Sequence, residues 1–236
     1  MRNIIKIIVL IVSLIYSNTC IALEYISHIP QNPQSAIIIL HGWQQSGDKM
    51  EWMTQQFQTN LPNMAFYYPT APEKSPKRGY QWFEIPTIGE EMAEPHMYNR
   101  MIKSALNNVG ELHSFIENIS RELSIPYDKI HIAGFSQGGL MAILTAITSP
   151  NKINKAISFS GVPLISSPYL DINKLNKDVK IQIIQGDVDR VIPSDSYALT
   201  NAYLKTLGFS PDVKIIKNLS HHINDLSIFY AIEFLK

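Results

Sequence analysis

The chain has 236 residues, 45% hydrophobic and 17% charged, which suits one globular domain with a full core and excludes a disordered chain. Lysine plus arginine balances aspartate plus glutamate at 20 each, with no long charge run, so no basic surplus points to nucleic acid.

The first 22 residues stand apart. Arg2 and Lys6 precede an apolar run from Ile7 to Tyr16, and small and polar residues follow up to Cys20-Ile21-Ala22. This is the layout of a secretory signal peptide, and the run is short of the ~20 residues that a membrane span needs. The expectation is a leader over 1–22, cleaved after Ala22, then a single domain over 23–236 that is secreted or periplasmic and has no membrane span. The alternative is an uncleaved N-terminal anchor. Cys20 invites a lipoprotein reading, but Ser17 stands where such a site usually carries leucine. Cleavage removes the only cysteine, so the mature chain has no disulfide, and its net charge becomes about −2.

Beyond the leader, strand-like and helix-like segments alternate. Ala36–Leu40 reads as a buried strand and runs into His41-Gly42-Trp43-Gln44-Gln45-Ser46-Gly47-Asp48, a glycine-containing loop ahead of a helix near Met50–Phe57. Ala65–Tyr68 reads as the next strand. Residues 69–97 are irregular and carry five prolines, the character of a functional rim or lid. A long helix is expected from Asn99 to Leu123, with Ile102, Ala105, Leu106, Val109, Leu112, Ile116, Ile119 and Leu123 three or four apart. Ile130–Ala133 reads as a strand that ends in Gly134-Phe135-Ser136-Gln137-Gly138. A helical pattern follows at once through Leu140, Met141, Ile143, Leu144 and Ile147. Ala156–Phe159 and Ile181–Ile184 read as further strands, and the latter leads into Gln185-Gly186-Asp187-Val188-Asp189-Arg190-Val191-Ile192-Pro193. A helix with Ser194 as its N-cap is expected to stop at Gly208. Val213–Ile216 reads as the last strand, and Lys217-Asn218-Leu219-Ser220-His221-His222-Ile223 follows it. The final helix begins after Asn224, with Ile223 and Ile228 spaced as a hydrophobic staple. Near-continuous apolar strands alternating with amphipathic helices imply a mostly parallel sheet covered on both faces.

The chemistry concentrates at four strand ends. Strand, Gly-x-Ser-x-Gly, helix is the layout of a nucleophile elbow: a sharp turn lifts the Ser136 hydroxyl above the sheet edge, and Gly134 and Gly138 spare it side-chain clashes. A serine hydroxyl is a weak nucleophile and needs a base, which in turn needs an orienting carboxylate. Three acids compete for that place. Asp187 suits a turn cap, Asp195 suits the first turn of the next helix, and Asp189 lies mid-loop with the freedom to reach across. The base is His221 or His222. Gly42 and Gly47 let the loop after the first strand turn its N–H groups inward, so the main-chain N–H groups of Trp43 and Gln137 are the candidate oxyanion donors. His41 is expected to shape its loop. His28, His96, His113 and His131 lack metal-ligand spacing, Glu90, Glu91 and Glu94 read as a solvated cluster, and Gly138-Gly139 lacks the Gly-Lys-Ser/Thr of a phosphate loop.

In these segments the chain resembles the phospholipase/carboxylesterase family of α/β-hydrolases, which includes the acyl-protein thioesterases. Leu40-His41-Gly42-Trp43 resembles its Leu-His-Gly-aliphatic opening, and Gly134-Phe135-Ser136-Gln137-Gly138-Gly139 resembles its nucleophile motif. Gly186 to Pro193 resembles its acid loop, with Asp189 at the acid position. Ser220-His221-His222-Ile223 resembles Gly-His-x-Ile, which puts the base at His221. Pro69-Thr70-Ala71-Pro72 and Gln81-Trp82-Phe83 resemble segments near the family's substrate site, so the resemblance implies substrate contacts from Trp43, Gln81 and Trp82. Trp43 in place of an aliphatic residue implies a narrower acyl entrance. Gln185 stands where the family often has histidine, with no mechanistic role implied, and Ser220 replaces a glycine.

Together these readings predict an α/β-hydrolase fold without a large cap domain. They predict a serine esterase acting on small-molecule carboxylic esters or thioesters of small to medium acyl length through an acyl-enzyme, a route that calls for no metal or cofactor. The rivals are a lysophospholipase or peptidase on the same fold and a non-catalytic binding protein. A complete Ser-Asp-His set argues against the last. The leader is atypical of the family's cytosolic thioesterases, so their protein substrates are not carried over.

Overall fold

The computed structural model describes residues 23–86 and 94–236. The expected leader and the Glu90-Glu91 pair lie outside them. In chain order the elements are β1 (Tyr25–His28), β2 (Ser35–Leu40), α1 (Thr54–Asn60), β3 (Met64–Pro69), β4 (Glu73–Lys74), β5 (Tyr80–Gln81) and α2 (Glu94–Leu123). There follow β6 (Ile130–Phe135), α3 (Gln137–Thr148), β7 (Lys155–Phe159), β8 (Lys180–Gly186), α4 (Ser196–Thr206), β9 (Asp212–Ile216) and α5 (Asp225–Leu235).

Among the described residues the main sheet has seven strands in the order β1-β3-β2-β6-β7-β8-β9, all parallel except β1, which runs antiparallel along β3. Residues on β2 alternate between two cores. Ala36, Ile38 and Leu40 face a core shared with α2, α3 and Leu204 of α4, while Ile37 and Ile39 face a core shared with Met50, Met53, Phe57 and α5. Both faces of the sheet are therefore covered, which is why its strands read as unbroken apolar runs. Helix α3 is buried on every side from Gln137 to Ile147, in keeping with its uniformly apolar sequence.

Topology places the site. The chain leaves β2 for β3 on one side and β6 lies on the other, so a crevice opens above the carboxyl ends of β2 and β6. In register, Leu40 stands beside Gly134, and Gly186 beside Ile216. The loop after β2 thus flanks Ser136, and the loops after β8 and β9 flank each other.

All six expected strands form. Three expectations shift. The helix near Met50–Phe57 is a 3-10 helix over Gly47–Met53 continued by α1. Helix α2 begins at Glu94, before the periodic apolar residues start. The N-cap of α4 is Asp195, not Ser194, and its side chain makes no capping hydrogen bond. Strands β1, β4 and β5 were not expected. They are too short for periodicity to register, and pairing with partners distant in sequence is what makes them strands. At α5 the expected start holds: Asn224 accepts from the Ser227 N–H in a capping box.

His131 on β6 is paired in register with Lys155, is 5% exposed, and has no hydrogen-bond partner for Nδ1 among the described residues. Burial, reinforced by Lys155 and Lys129, pushes its pKa down to about 3. The unfolded chain takes up this proton near pH 6.5. Stability is then fully present above that pH and is lost, at about 1.4 kcal/mol per pH unit, as pH falls toward the folded value. Urea unfolding at pH 7 and pH 5 is expected to differ by about 2 kcal/mol less in His131→Leu than in the unsubstituted protein. Equal differences would show that His131 contributes nothing to acid sensitivity.

Candidate active site

Ser136 follows β6 with φ 54° and ψ −113°, a conformation costly for any residue with a Cβ. Its neighbours impose it. A Cβ on Gly134 would lie 2.1 Å from the Gly138 carbonyl oxygen, and one on Gly138 would lie 2.5 Å from that of Leu40. The turn is held by hydrogen bonds from the Ser136 N–H to Phe159 O at 2.9 Å, and to Ser136 O from the N–H groups of Gly139 and Val162. The result is a half-buried serine at the N-terminus of α3, as the strand-turn-helix pattern predicts.

Of the three competing acids only Asp189 is buried, at 4% exposure. Its Oδ2 accepts from His221 Nδ1 at 2.8 Å and from Gln185 Nε2 at 3.0 Å, while Oδ1 accepts from the N–H groups of Val191 and Ile192. The ring of Phe135, the residue before Ser136, lies 4.7 Å centroid to centroid from the His221 ring. The structure thus brings Asp189 and His221 into direct contact, with the residue that precedes Ser136 against the His221 ring. No hydrogen bond joins Ser136 to His221, a bond that in free enzymes often tightens only with substrate. His222 is exposed, its Nδ1 within 3.0 Å of Ser220 Oγ. Asp187 ties the two loops together, accepting from the Asn218 N–H at 2.6 Å, and Asp195 is exposed. The close approach that makes this possible is at Gly186, where a Cβ would meet Leu219 O at 2.0 Å.

The loop after β2 is held from beneath. His41 Nδ1 lies 2.7 Å from Gly42 O, and its Nε2 lies 3.0 Å from the Ala71 N–H. A carbonyl only accepts and an amide N–H only donates, so Nδ1 carries the proton and Nε2 does not. Burial agrees, pushing the His41 pKa down to about 4 against smaller opposing effects of Gly42 and Asp48. Trp82 Nε1 donates to His41 O, and the loop pairs with the end of the β4-β5 hairpin through Gln44 N–H to Tyr80 O and Tyr80 N–H to Gln45 O. The left-handed residue of this loop is Gln44, at φ 61°, rather than Gly42 or Gly47. Gly47 is required instead because a Cβ there would strike Tyr68 O at 2.1 Å. The N–H groups of Trp43 and Gln137 donate to no other described residue.

The phospholipase/carboxylesterase family matches this chain over residues 23–236. The chain belongs to that family. Among its relatives, acyl-protein thioesterase 1 of Candida albicans is 30% identical over 225 residues, covering 88% of this chain and 95% of that protein. Carboxylesterase SOBER1 of Arabidopsis thaliana is 26% identical over 207 residues, covering 85% and 89%. The crystal structure of esterase PE8 shares the fold with a TM-score of 0.80 at 23% identity, covering 91% of this chain and 98% of that one. The fold is that of the α/β-hydrolases, with no large cap among the described residues, and membership of this family makes the chain a hydrolase of the esterase and thioesterase kind.

Several family positions acquire roles that the sequence did not disclose. Trp82, expected at the substrate, is 1% exposed and lies under the loop after β2, against the His41 ring. Gln81 is buried too; its Oε1 accepts from Trp43 Nε1 at 3.2 Å and so orients that indole, which is 37% exposed at the rim. The Gln137 side chain clasps the same segment, accepting from the Trp82 N–H and donating to Phe83 O. Gln185 was missed. Its one sequence signal was its place at the end of a strand, four residues before Asp189, and its amide donates to the carboxylate that holds His221. Gln185→Leu removes that donor in a buried setting and is expected to lower kcat about tenfold with KM little changed. Steady-state kinetics checks this, and unchanged kcat would show that Asp189 is held adequately by its other three donors.

Proposed function

We propose that this hydrolase cleaves carboxylic esters or thioesters through an acyl-enzyme formed on Ser136. His221 takes the Ser136 proton as Oγ bonds to the carbonyl carbon, then delivers it to the departing oxygen or sulfur. Asp189 keeps the His221 proton on Nδ1, leaving Nε2 as the nitrogen for Ser136, and stabilises the imidazolium. The N–H groups of Trp43 and Gln137 hold the oxyanion, each worth about 3 kcal/mol in the transition state. Water, activated by His221, then releases the acid. The observation that carries the reading is the hydrogen bond at 2.8 Å from His221 to buried Asp189, with the His221 ring against Phe135 at the strained Ser136 turn. The names of the thioesterase and carboxylesterase relatives point the same way.

Without a large cap the site favours small to medium acyl chains. On p-nitrophenyl esters of graded acyl length, turnover is expected to be highest for acetate to hexanoate and to fall toward palmitate. No turnover of any ester by folded protein would refute the reading.

Export is part of the same proposal. The charged start, the short apolar run and Ala22 support a leader, and the family match begins at the next residue, 23. No helix among the described residues is long and apolar enough to cross a membrane. Intact mass of exported protein is expected to correspond to a chain starting near Leu23. Retention of Met1–Ala22 would indicate an anchor instead.

A further inference from the structure

A cleft of about 240 Å³ opens beside His221, walled by Gln45, Met50, Trp52, Phe135, His221 and Ile223. This is smaller than the ~300–1,000 Å³ of sites that enclose a whole ligand, so it takes one part of a substrate. Which part follows from the chemistry. The oxyanion donors hold the carbonyl, and neither Trp43 nor Gln137 lines the cleft. His221 must come within hydrogen-bond reach, about 3 Å, of the atom that leaves. The group attached to that atom then lies beside His221, which, of Ser136, Asp189, His221, Trp43 and Gln137, is the residue that lines the cleft.

The lining says what that group is. Met50, Trp52, Phe135 and Ile223 are apolar, and two of them are aromatic. The polar side chains that share the lining have partners: Gln45 accepts from the Gly42 N–H at 3.0 Å, Lys49 pairs with Asp48 at 2.9 Å in an exposed ion pair, and His222 pairs with Ser220 at 3.0 Å. Trp52 is 52% exposed, because its 3-10 helix turns Met50 and Met53 into the core and leaves the indole outward. An exposed indole beside the base is a surface for a flat apolar group.

We propose that this cleft is a leaving-group subsite for a neutral aromatic alcohol or thiol, with Trp52 as its specificity-determining wall. The inference rests on the acyl-enzyme reading above. It assigns aryl-substituted alcohols or thiols, rather than charged or very small ones, to the departing side of the substrate.

Matched acetates test it. Ethyl acetate and 2-phenylethyl acetate share an acyl group and have leaving alcohols of similar acidity, so their difference reports binding of the departing part. The unsubstituted protein is expected to show kcat/KM about tenfold higher for 2-phenylethyl acetate, or about 1.4 kcal/mol. Trp52→Ala is expected to bring that ratio close to one, and Trp52→Phe to retain most of it. The ratio of ethyl phenylacetate to ethyl acetate, which varies the acyl side, is expected to be the same in all three proteins. A flat alcohol ratio in the unsubstituted protein, or one that Trp52→Ala leaves intact, overturns the subsite alone. A change confined to the acyl ratio overturns it by placing the acyl group in the cleft. Hydrolysis of none of these esters refutes the acyl-enzyme reading, and the subsite with it.

Discussion

Ser136→Ala is expected to lower kcat/KM for small esters by about 10⁴-fold or more while leaving the melting temperature unchanged. Removing the nucleophile of a serine hydrolase has an effect of this order, because the remaining donors stabilise an intermediate that can no longer form. The fold is insensitive because alanine keeps the Cβ, so the strain at φ 54° is the same in both proteins and no core contact is lost. Fluorophosphonate labelling gives a second readout: a mass increase of one adduct in the unsubstituted protein and none in Ser136→Ala. Ser136→Gly extends the argument to stability. Without a Cβ the turn relaxes, and this variant is expected to be inactive yet more stable by about 1 kcal/mol. Activity near the original level in folded Ser136→Ala would move the nucleophile elsewhere.

The second large effect separates adjacent histidines. His221→Ala is expected to cost at least about 100-fold in kcat on ethyl acetate, the contribution of a general base. His222→Ala is expected to cost less than about tenfold, or 1.4 kcal/mol. The reason is geometric. His221 is hydrogen-bonded to buried Asp189 and tilted against Phe135, whereas His222 is exposed and pairs with Ser220. The reverse pattern of losses would make His222 the base. Equal, severe losses in folded variants would mean that the loop conformation, and not one ring, is what the site requires.

Strain at Ser136 and neutrality at His41 share a logic. Each is a local cost imposed by close packing, and each holds a group of the proposed site in one state. His41 is denied its proton by burial and by the Ala71 N–H, so the loop that carries Trp43 rests on one tautomer. Trp82 and Gln137 complete that support from the other side. None of the three is proposed to react, yet they set where the Trp43 and Gln137 N–H groups lie.

What short-range forces decide is legible in the order of the residues. The apolar runs Ala36–Leu40, Ile130–Ala133 and Ile181–Ile184 read as strands buried on both faces, and they form. The two glycines around Ser136 suit a turn too tight for side chains, and the start of α5 after Asn224 is written within a few residues. Only tertiary structure shows that, of Asp187, Asp189 and Asp195, it is Asp189 that is buried and bonded to a histidine, and that this histidine is His221 and not His222, the pair that the family resemblance implies. It also buries Gln81 and Trp82 beneath the loop after β2, bonded to Trp43 and His41, and brings Gln185 to the Asp189 carboxylate. These outcomes depend on register, with Leu40 beside Gly134 and Gly186 beside Ile216, and on burial that only the assembled sheet and its covering helices create. A side chain's partner thirty or more residues away is set by which strands lie side by side. The free energy that selects the arrangement comes from the whole core, so no local window of sequence contains it.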